Sequence, residues 1–342
     1  MGRPMRERAL AFLVCPRCRG SLALTTTAVE GDQITTGQLR CATCAAGFQI
    51  AGGVPRFAPG ALAESARRTV DRFGEQWNEF NFLSAEYERQ FLAWIAPNTW
   101  DAFRDRVVLD AGCGKGRHAM LVARVARDVL AVDLSSAVDA AYANLRALPN
   151  VHVIQADLFQ LPIAAGIVDV VFSIGVVHHT PDPRGAFMRL AGVLKPGGRL
   201  IVWVYGRENN EWIVRFVDPV RRAVTSRLPH RVLYHASKIP AAALYAASRG
   251  IYRPLSQPPF AAIGRRLFYQ AYVNAIGVLP FRDVHLIVHD HLGPAIASYV
   301  SGDEFAHWFR EANLAEVVIG WHNRNSWRGT AVRPDGVPVP RA

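Results

Sequence analysis

Residues 106–116 read Arg106-Val-Val-Leu-Asp110-Ala-Gly112-Cys113-Gly114-Lys-Gly116. The stretch up to Ala111 is short and apolar, as a strand buried on both faces is. Glycines then recur at every second position, which permits a tight turn and close approach of the backbone to a ligand. The spacing predicts a helix next, over 118–127, whose N-terminus offers free N–H groups. Outward from there, residues 129–133 predict a second strand ending in Asp133, an acid placed to accept hydrogen bonds from both hydroxyls of a ribose. A helix over 135–148, strands over 151–155 and 168–173, a helix over 186–194 and a strand over 199–204 follow. The turn Lys195-Pro-Gly-Gly198 separates the last two. Residues 315–322 and 326–332 form a final antiparallel pair. The alternation predicts an α/β fold with a seven-stranded, mostly parallel sheet covered on both faces.

Two nucleotide cofactors suit such a loop. A dinucleotide loop wants Gly-x-Gly-x-x-Gly, and its third glycine position here is Arg117. The pattern Asp-x-Gly-x-Gly-x-Gly of S-adenosylmethionine (SAM) enzymes is matched in full by 110–116. Four further motifs follow in order: Ala-Val-Asp133-Leu134-Ser, Gln-Ala-Asp157-Leu158-Phe, Gly-Val-Val-His178-His179-Thr and Leu-Lys-Pro-Gly-Gly-Arg-Leu. Over 105–204 the chain resembles the class I SAM-dependent methyltransferases. That resemblance implies a Rossmann-like sheet, with Asp110, Gly112 and Gly114 under the methionine part of SAM. It puts Asp157 on the adenine amino group and the Leu158 amide near the ring; Cys113, Gly116, Asp133 and Leu134 complete the expected cofactor set. His179, and less so His178, follow the fourth strand at the sheet's C-terminal edge, where a histidine can take a proton from a hydroxyl acceptor. Tyr205 is a candidate wall residue.

Cys15-Pro-Arg-Cys18 and Cys41-Ala-Thr-Cys44 are two CxxC pairs, a zinc-ribbon spacing in which four thiolates close a tetrahedron. Four cysteines leave no open coordination site, so the zinc is expected to be structural. Residues 13–57 resemble the Trm112-like family of small zinc-binding proteins, which implies a methyltransferase-associated module. A hairpin is expected over 21–39, with a turn at Glu30-Gly31-Asp32.

Five segments result: a zinc ribbon (1–59), a helical cover rich in aromatics (60–104), the SAM-binding core (105–204), a basic helical insertion capping the substrate (205–298), and a last helix with two strands (299–342). The stretch Arg72-Phe-Gly-Glu-Gln-Trp-Asn-Glu-Phe80 resembles the N-terminal cover of some of these methyltransferases, and either lids the SAM site or packs on the core. His285, His289 and His291 fall on a run that reads as a strand, which would put all three on one face as a candidate metal site or pocket lining.

The 342 residues are half hydrophobic, which excludes a disordered chain. No apolar run approaches the ~20 residues of a membrane span, and the apolar stretch 9–14 is short for a secretory signal; a soluble, cytoplasmic protein is expected. Net charge is +11. Residues 205–280 hold 11 basic and 3 acidic residues, a net of +8, so an electrostatic partner should touch that segment. The enclosed apolar insertion favours a small-molecule, lipid-like or glycan acceptor, with arginines holding an anionic group or resting on a membrane surface. RNA is the second expectation, since a zinc ribbon before a SAM domain resembles the ribosomal RNA guanine methyltransferases. A third is a protein partner for the zinc ribbon.

Overall fold

The computed structural model describes residues 7–31, 33–57, 61–84 and 86–336; Asp32, in the expected ribbon turn, lies outside them. Among the described residues eleven strands form one sheet: β1 (Leu22–Glu30), β2 (Gln33–Cys41), β3 (Gly47–Ala51), β4 (Val54–Phe57), β5 (Val107–Ala111), β6 (Asp128–Asp133), β7 (Val151–Ala156), β8 (Val168–Ile174), β9 (Leu194–Tyr205), β10 (Ala315–His322) and β11 (Ser326–Val332). Their order is β1-β2-β3-β4-β7-β6-β5-β8-β9-β11-β10.

β5 shows why the apolar run becomes a central strand. All five of its residues are buried. Val107, Leu109 and Ala111 enter the core on one face of the sheet, and Val108 enters the core on the other. β5 pairs in parallel with both β6 and β8. From it the chain runs one way through β6 and β7 and the other way through β8 and β9. That reversal opens a crevice at the carboxyl ends of β5 and β8, where open α/β sheets bind ligands.

The seven expected strands are β5 to β11, but the sheet has eleven. The expectation treated the ribbon as a separate module; instead its four strands continue the sheet. β4 pairs in parallel with β7 through Arg56↔Gln155 and Phe57↔Ala156, which covers an edge that would otherwise expose unpaired backbone groups. Ile34, Leu39 and Ile50 of the ribbon share a core with Leu109 and Val132. Arg19 reaches across to donate to the Leu161 carbonyl at 2.7 Å.

The helix after the glycine loop is Arg117–Val122, shorter than expected. The chain must return to β6, and Arg127 N already donates to the Arg106 carbonyl at 2.9 Å. The last helix, Gly302–Glu311, is capped as its sequence suggests, with the Ser301 hydroxyl accepting from Glu304 N at 3.2 Å. It buries Phe305, Trp308 and Phe309 beside Phe187.

Residues 284–292 are the clearest departure. They lie in a helix, Phe281–Leu292, not a strand. Alternation at Val284, Leu286 and Val288 imitated a period of two, but this segment packs among helices and finds no strand to pair with. His285 and His289 are thus one turn apart, and His291 points elsewhere. Among the described residues the only group with metal-ligand spacing is the four-cysteine cluster.

Candidate active site

The glycine loop lies over the end of β6. Gly112 N and Cys113 N both donate to the Val132 carbonyl, at 2.8 and 2.9 Å. Gly114 N donates to Asp133 Oδ2 at 2.9 Å, and Ser135 N and Oγ donate to Oδ1 at 2.9 and 2.7 Å. The Asp133 carboxylate is therefore held by the loop and by the start of the next helix. Burial pushes its carboxyl up, opposed by those hydrogen bonds. Gly112 has φ +90°, and a Cβ there would stand 2.3 Å from the Val176 side chain, so this position requires glycine.

A cavity of about 590 Å³ opens along this loop. Gly112, Cys113, Gly114, Asp133, Leu134, Asp157 and Leu158, all expected from sequence, line it. Asp157 Oδ1 accepts from Phe159 N at 3.0 Å, which fixes the carboxylate at the cavity wall. Asp110 and Gly116 sit behind the loop instead. Asp110 is 1% exposed, its carboxyl pushed well up by burial and then by the Asp133 charge. Gly116 packs against Leu145.

The cover roofs the cavity. Helix Glu64–Glu79 carries Thr69, Phe73 and Trp77 into the lining. The Trp77 indole lies 3.0 Å from where a Gly114 Cβ would be. Lys115, unweighed at the sequence level, clamps the cover to the loop: its Nζ donates to the carbonyls of Phe80 and Phe82 at 2.5 and 2.6 Å and lies 4.3 Å from the Phe82 ring centre. Burial, then neighbouring Arg117, lowers its pKa to about 7. The other face of the same helix packs on the insertion, where Gln76 bonds both His289 and Asp290. The segment thus both packs and lines the pocket.

The two adjacent histidines divide. His178 is fully buried, outside the cavity lining, and both its ring nitrogens lack a hydrogen-bond partner among the described residues. His179 lines the cavity. Its Nδ1 stands 2.8 Å from the Ile296 carbonyl. A carbonyl only accepts, so Nδ1 carries the proton and Nε2 of the neutral ring keeps its lone pair. Burial lowers the His179 pKa, partly opposed by Asp290. Tyr205 lines the cavity as expected, and its hydroxyl donates to Asp290 Oδ2 at 2.8 Å. Burial works to raise the Asp290 carboxyl, but His179, Gln76 and Tyr205 outweigh it and hold the group below the usual carboxylate range.

Asp290 and Tyr272 were missed at the sequence level because the helix carrying one read as a strand and the other sits in a part of the helical insertion with no motif to single it out. His291, stacked on Tyr205 with ring centres 5.2 Å apart, also lines the cavity. His285 and His289 do not; their ring nitrogens meet Ser237 and Gln76 at 2.9 and 3.1 Å.

Burial of these imidazoles predicts an acid limb of stability. The pKa values of His118, His178 and His179 are all depressed from 6.5 by burial. Below about pH 6.5 the unfolded chain binds protons that the folded chain refuses, so stability falls as pH falls through that range. Each histidine contributes about 1.4 kcal/mol per pH unit at most. Melting curves between about pH 7.5 and 5.5 should show the midpoint dropping by several degrees; a flat profile would contradict the buried neutral assignment.

Known proteins are similar to the part of the chain that carries the glycine loop. Residues 109–202 match the family model described as "Methyltransferase domain". A Mycobacterium tuberculosis protein named "Probable S-adenosylmethionine-dependent methyltransferase" is 43% identical over 145 residues, which is 42% of this chain and 48% of that protein. The ubiquinone biosynthesis O-methyltransferase of Erwinia tasmaniensis is 33% identical over 135 residues, 37% of this chain and 53% of the relative. The tRNA U34 carboxymethyltransferase of Cellvibrio japonicus is 27% identical over 175 residues, 45% and 52% of the two chains. The chain spans about half the length of the curated relatives it matches. Residues 109–202 are therefore similar to a methyltransferase domain, and relatives that resemble this part of the chain carry the name of SAM-dependent methyltransferases.

Proposed function

We propose that this chain is a SAM-dependent methyltransferase acting on a small or lipid-like acceptor held in the apolar cavity. The observation that carries this reading is the cavity itself, continuous from the glycine loop and Asp133 to a wall of Leu279, Leu286 and Ile287 from the insertion. The cradle fits the cofactor. Gly112 and Gly114 leave those two loop positions without a Cβ, Asp133 takes the ribose hydroxyls, and Asp157 with Leu158 takes the adenine. Bound there, SAM supplies an electrophilic methyl carbon on a sulfonium.

The chain's own residues then orient and deprotonate the acceptor. Phe73, Trp77 and Tyr205 exclude water around the reacting groups. His179 Nε2, with the proton of Nδ1 committed to Ile296, takes the proton of an acceptor hydroxyl. Asp290 stabilises the imidazolium that results. His178 packs and takes no part. The name of the Erwinia relative, an O-methyltransferase, accords with a hydroxyl acceptor. The Cellvibrio relative's name points to tRNA, but an apolar, roofed pocket suits a splayed nucleotide less well than a hydrocarbon ring or chain. The test is transfer of label from methyl-tritiated SAM to an organic-extractable product in lipid extract, expected for the parent and absent without extract. Label found only in RNA would overturn the acceptor class.

The four ribbon cysteines fit a structural zinc. Their sulfurs all lie within 4.8 Å of one another. Cys15–Cys44 and Cys18–Cys41 are 3.7 and 3.4 Å apart, near the ~3.8 Å edge of a tetrahedron with ~2.3 Å Zn–S bonds. Thr43 N and Cys44 N each point at the Cys41 sulfur at 3.4 Å, which stabilises a thiolate. The cavity lining starts at Leu62, so this metal serves the fold alone. Chelation, or Cys41→Ser, is expected to lower the melting midpoint by roughly 5 °C, corresponding to about 3–5 kcal/mol. One zinc per chain by mass spectrometry should disappear with it. An unchanged midpoint on loss of the metal would count against the assignment.

A further inference from the structure

The insertion carries an exposed surface that the proposed activity leaves unused. Phe268, Ile263, Phe260, Ile251 and Val278 are 62%, 55%, 51%, 51% and 41% exposed. Their segments are neighbours in space. The Tyr252 hydroxyl donates to the Phe268 carbonyl at 2.8 Å, Arg249 to the Leu279 carbonyl at 3.1 Å, and Asn274 to the Ser256 hydroxyl at 2.7 Å. The backbone of Gly264 abuts the Leu255 carbonyl so closely that a Cβ there would stand 2.2 Å from it. Apolar side chains exposed to this degree on adjoining segments mark a contact surface.

Charge says what covers it. Between Glu211 and Asp283 the sequence holds one acid, Asp218. Asp218 is buried and paired with Arg221 and, at 2.8 Å, with Arg222. Arg253, Arg265 and Arg266 are exposed and make no ion pair among the described residues. The surface is therefore apolar and uniformly basic. A second copy of the chain would bring like charges together. RNA would find arginines, but Ile251, Ile263 and Val278 are aliphatic and cannot stack on bases. An anionic bilayer satisfies both properties: phosphates meet the guanidinium groups while aliphatic and aromatic side chains enter the acyl boundary.

We propose that this face docks on an anionic membrane surface and that the acceptor enters the cavity from the bilayer. Val278 belongs to both, exposed on the docking face and lining the cavity beside Tyr272, Asn274 and Leu279. The entry route rests on the methyltransferase reading; the docking itself does not. No helix among the described residues is long and apolar enough to cross a membrane, so the attachment is interfacial.

Co-sedimentation of the full, metal-loaded chain with two vesicle types tests this. Vesicles of phosphatidylcholine with roughly one third phosphatidylglycerol should bind at least ~10-fold more protein than phosphatidylcholine alone. The double variant Ile263→Glu/Phe268→Glu should lose at least ~10-fold of that binding while keeping the parent's melting curve and its affinity for S-adenosylhomocysteine. The proposal is overturned if the parent fails to sediment with anionic vesicles, or if the folded double variant binds as well as the parent. It is equally overturned if the face instead mediates dimerisation or salt-sensitive tRNA binding that the double variant abolishes. S-adenosylhomocysteine binding separates the two readings: retained without vesicle binding, it leaves the methyltransferase reading intact, and its absence sinks that reading while the vesicle result stands.

Discussion

Replacing Asp133 with alanine is expected to weaken binding of SAM and S-adenosylhomocysteine by roughly 100-fold or more, since two hydrogen bonds to a charged acceptor contribute about 1.5–3 kcal/mol each. The carboxylate has a second duty that makes this the most sensitive position in the site. It accepts Gly114 N with one oxygen and both Ser135 donors with the other, so its removal also frees the loop. Asp133→Asn separates the roles. The amide retains one acceptor oxygen and loses the charge, so it should fall between parent and alanine variant. Calorimetric titration beside a melting curve checks both; an alanine variant that binds as the parent does would show that the sugar lies elsewhere.

The second large effect concerns His179. Its replacement by alanine should lower kcat by about 10²–10⁴-fold, the usual contribution of a positioned general base, with cofactor affinity nearly unchanged because the ring does not belong to the loop. The pH profile carries the sharper test. Burial lowers the pKa of this imidazole below 6.5, and the proposed base would work in its neutral form. Activity should therefore stay level through neutral pH and fall only on the acid side, below the ordinary histidine range. Asp290→Asn, which removes the charge that favours the imidazolium, should move that limb to still lower pH. An alanine variant with parental kcat would leave His179 as a packing residue like His178.

Much of the fold was legible because buried parallel strands announce themselves. Val107–Ala111, Val168–Ile174 and the final pair Ala315–His322 and Ser326–Val332 lie within a residue or two of where their apolar runs place them. The cavity-lining strip of Gly112, Gly114, Asp133 and Asp157 was legible for a different reason: a loop that passes close to its neighbours demands glycines at set spacing, and such demands appear directly in sequence. What stayed hidden depends on long-range packing. Nothing in Val54-Pro-Arg-Phe57 says that this strand will pair with Val151–Ala156 and turn a small module into the sheet's edge. Val284 to Leu292 alternates like a strand and folds as a helix because its neighbours are helices. That misreading concealed Asp290, the one carboxylate that joins Gln76, Tyr205 and His179 into a single polar network. Lys115 carries no signal of its role in the sequence, although its ammonium ties the aromatic cover to the loop.

The cysteine ribbon, the cover and the insertion each support the crevice differently. The ribbon extends one sheet edge, the cover roofs the glycine loop, and the insertion walls the far side of the cavity, where the proposed acceptor would lie. The proposed function presupposes that the crevice at the carboxyl ends of β5 and β8 holds a SAM-type nucleoside. The most direct measurement is isothermal titration of the intact, metal-loaded chain with S-adenosylhomocysteine and, in parallel, with NAD. Saturable binding of one S-adenosylhomocysteine per chain, with no heat from NAD, is the predicted result; no heat from S-adenosylhomocysteine, or equal binding of NAD, would contradict the account.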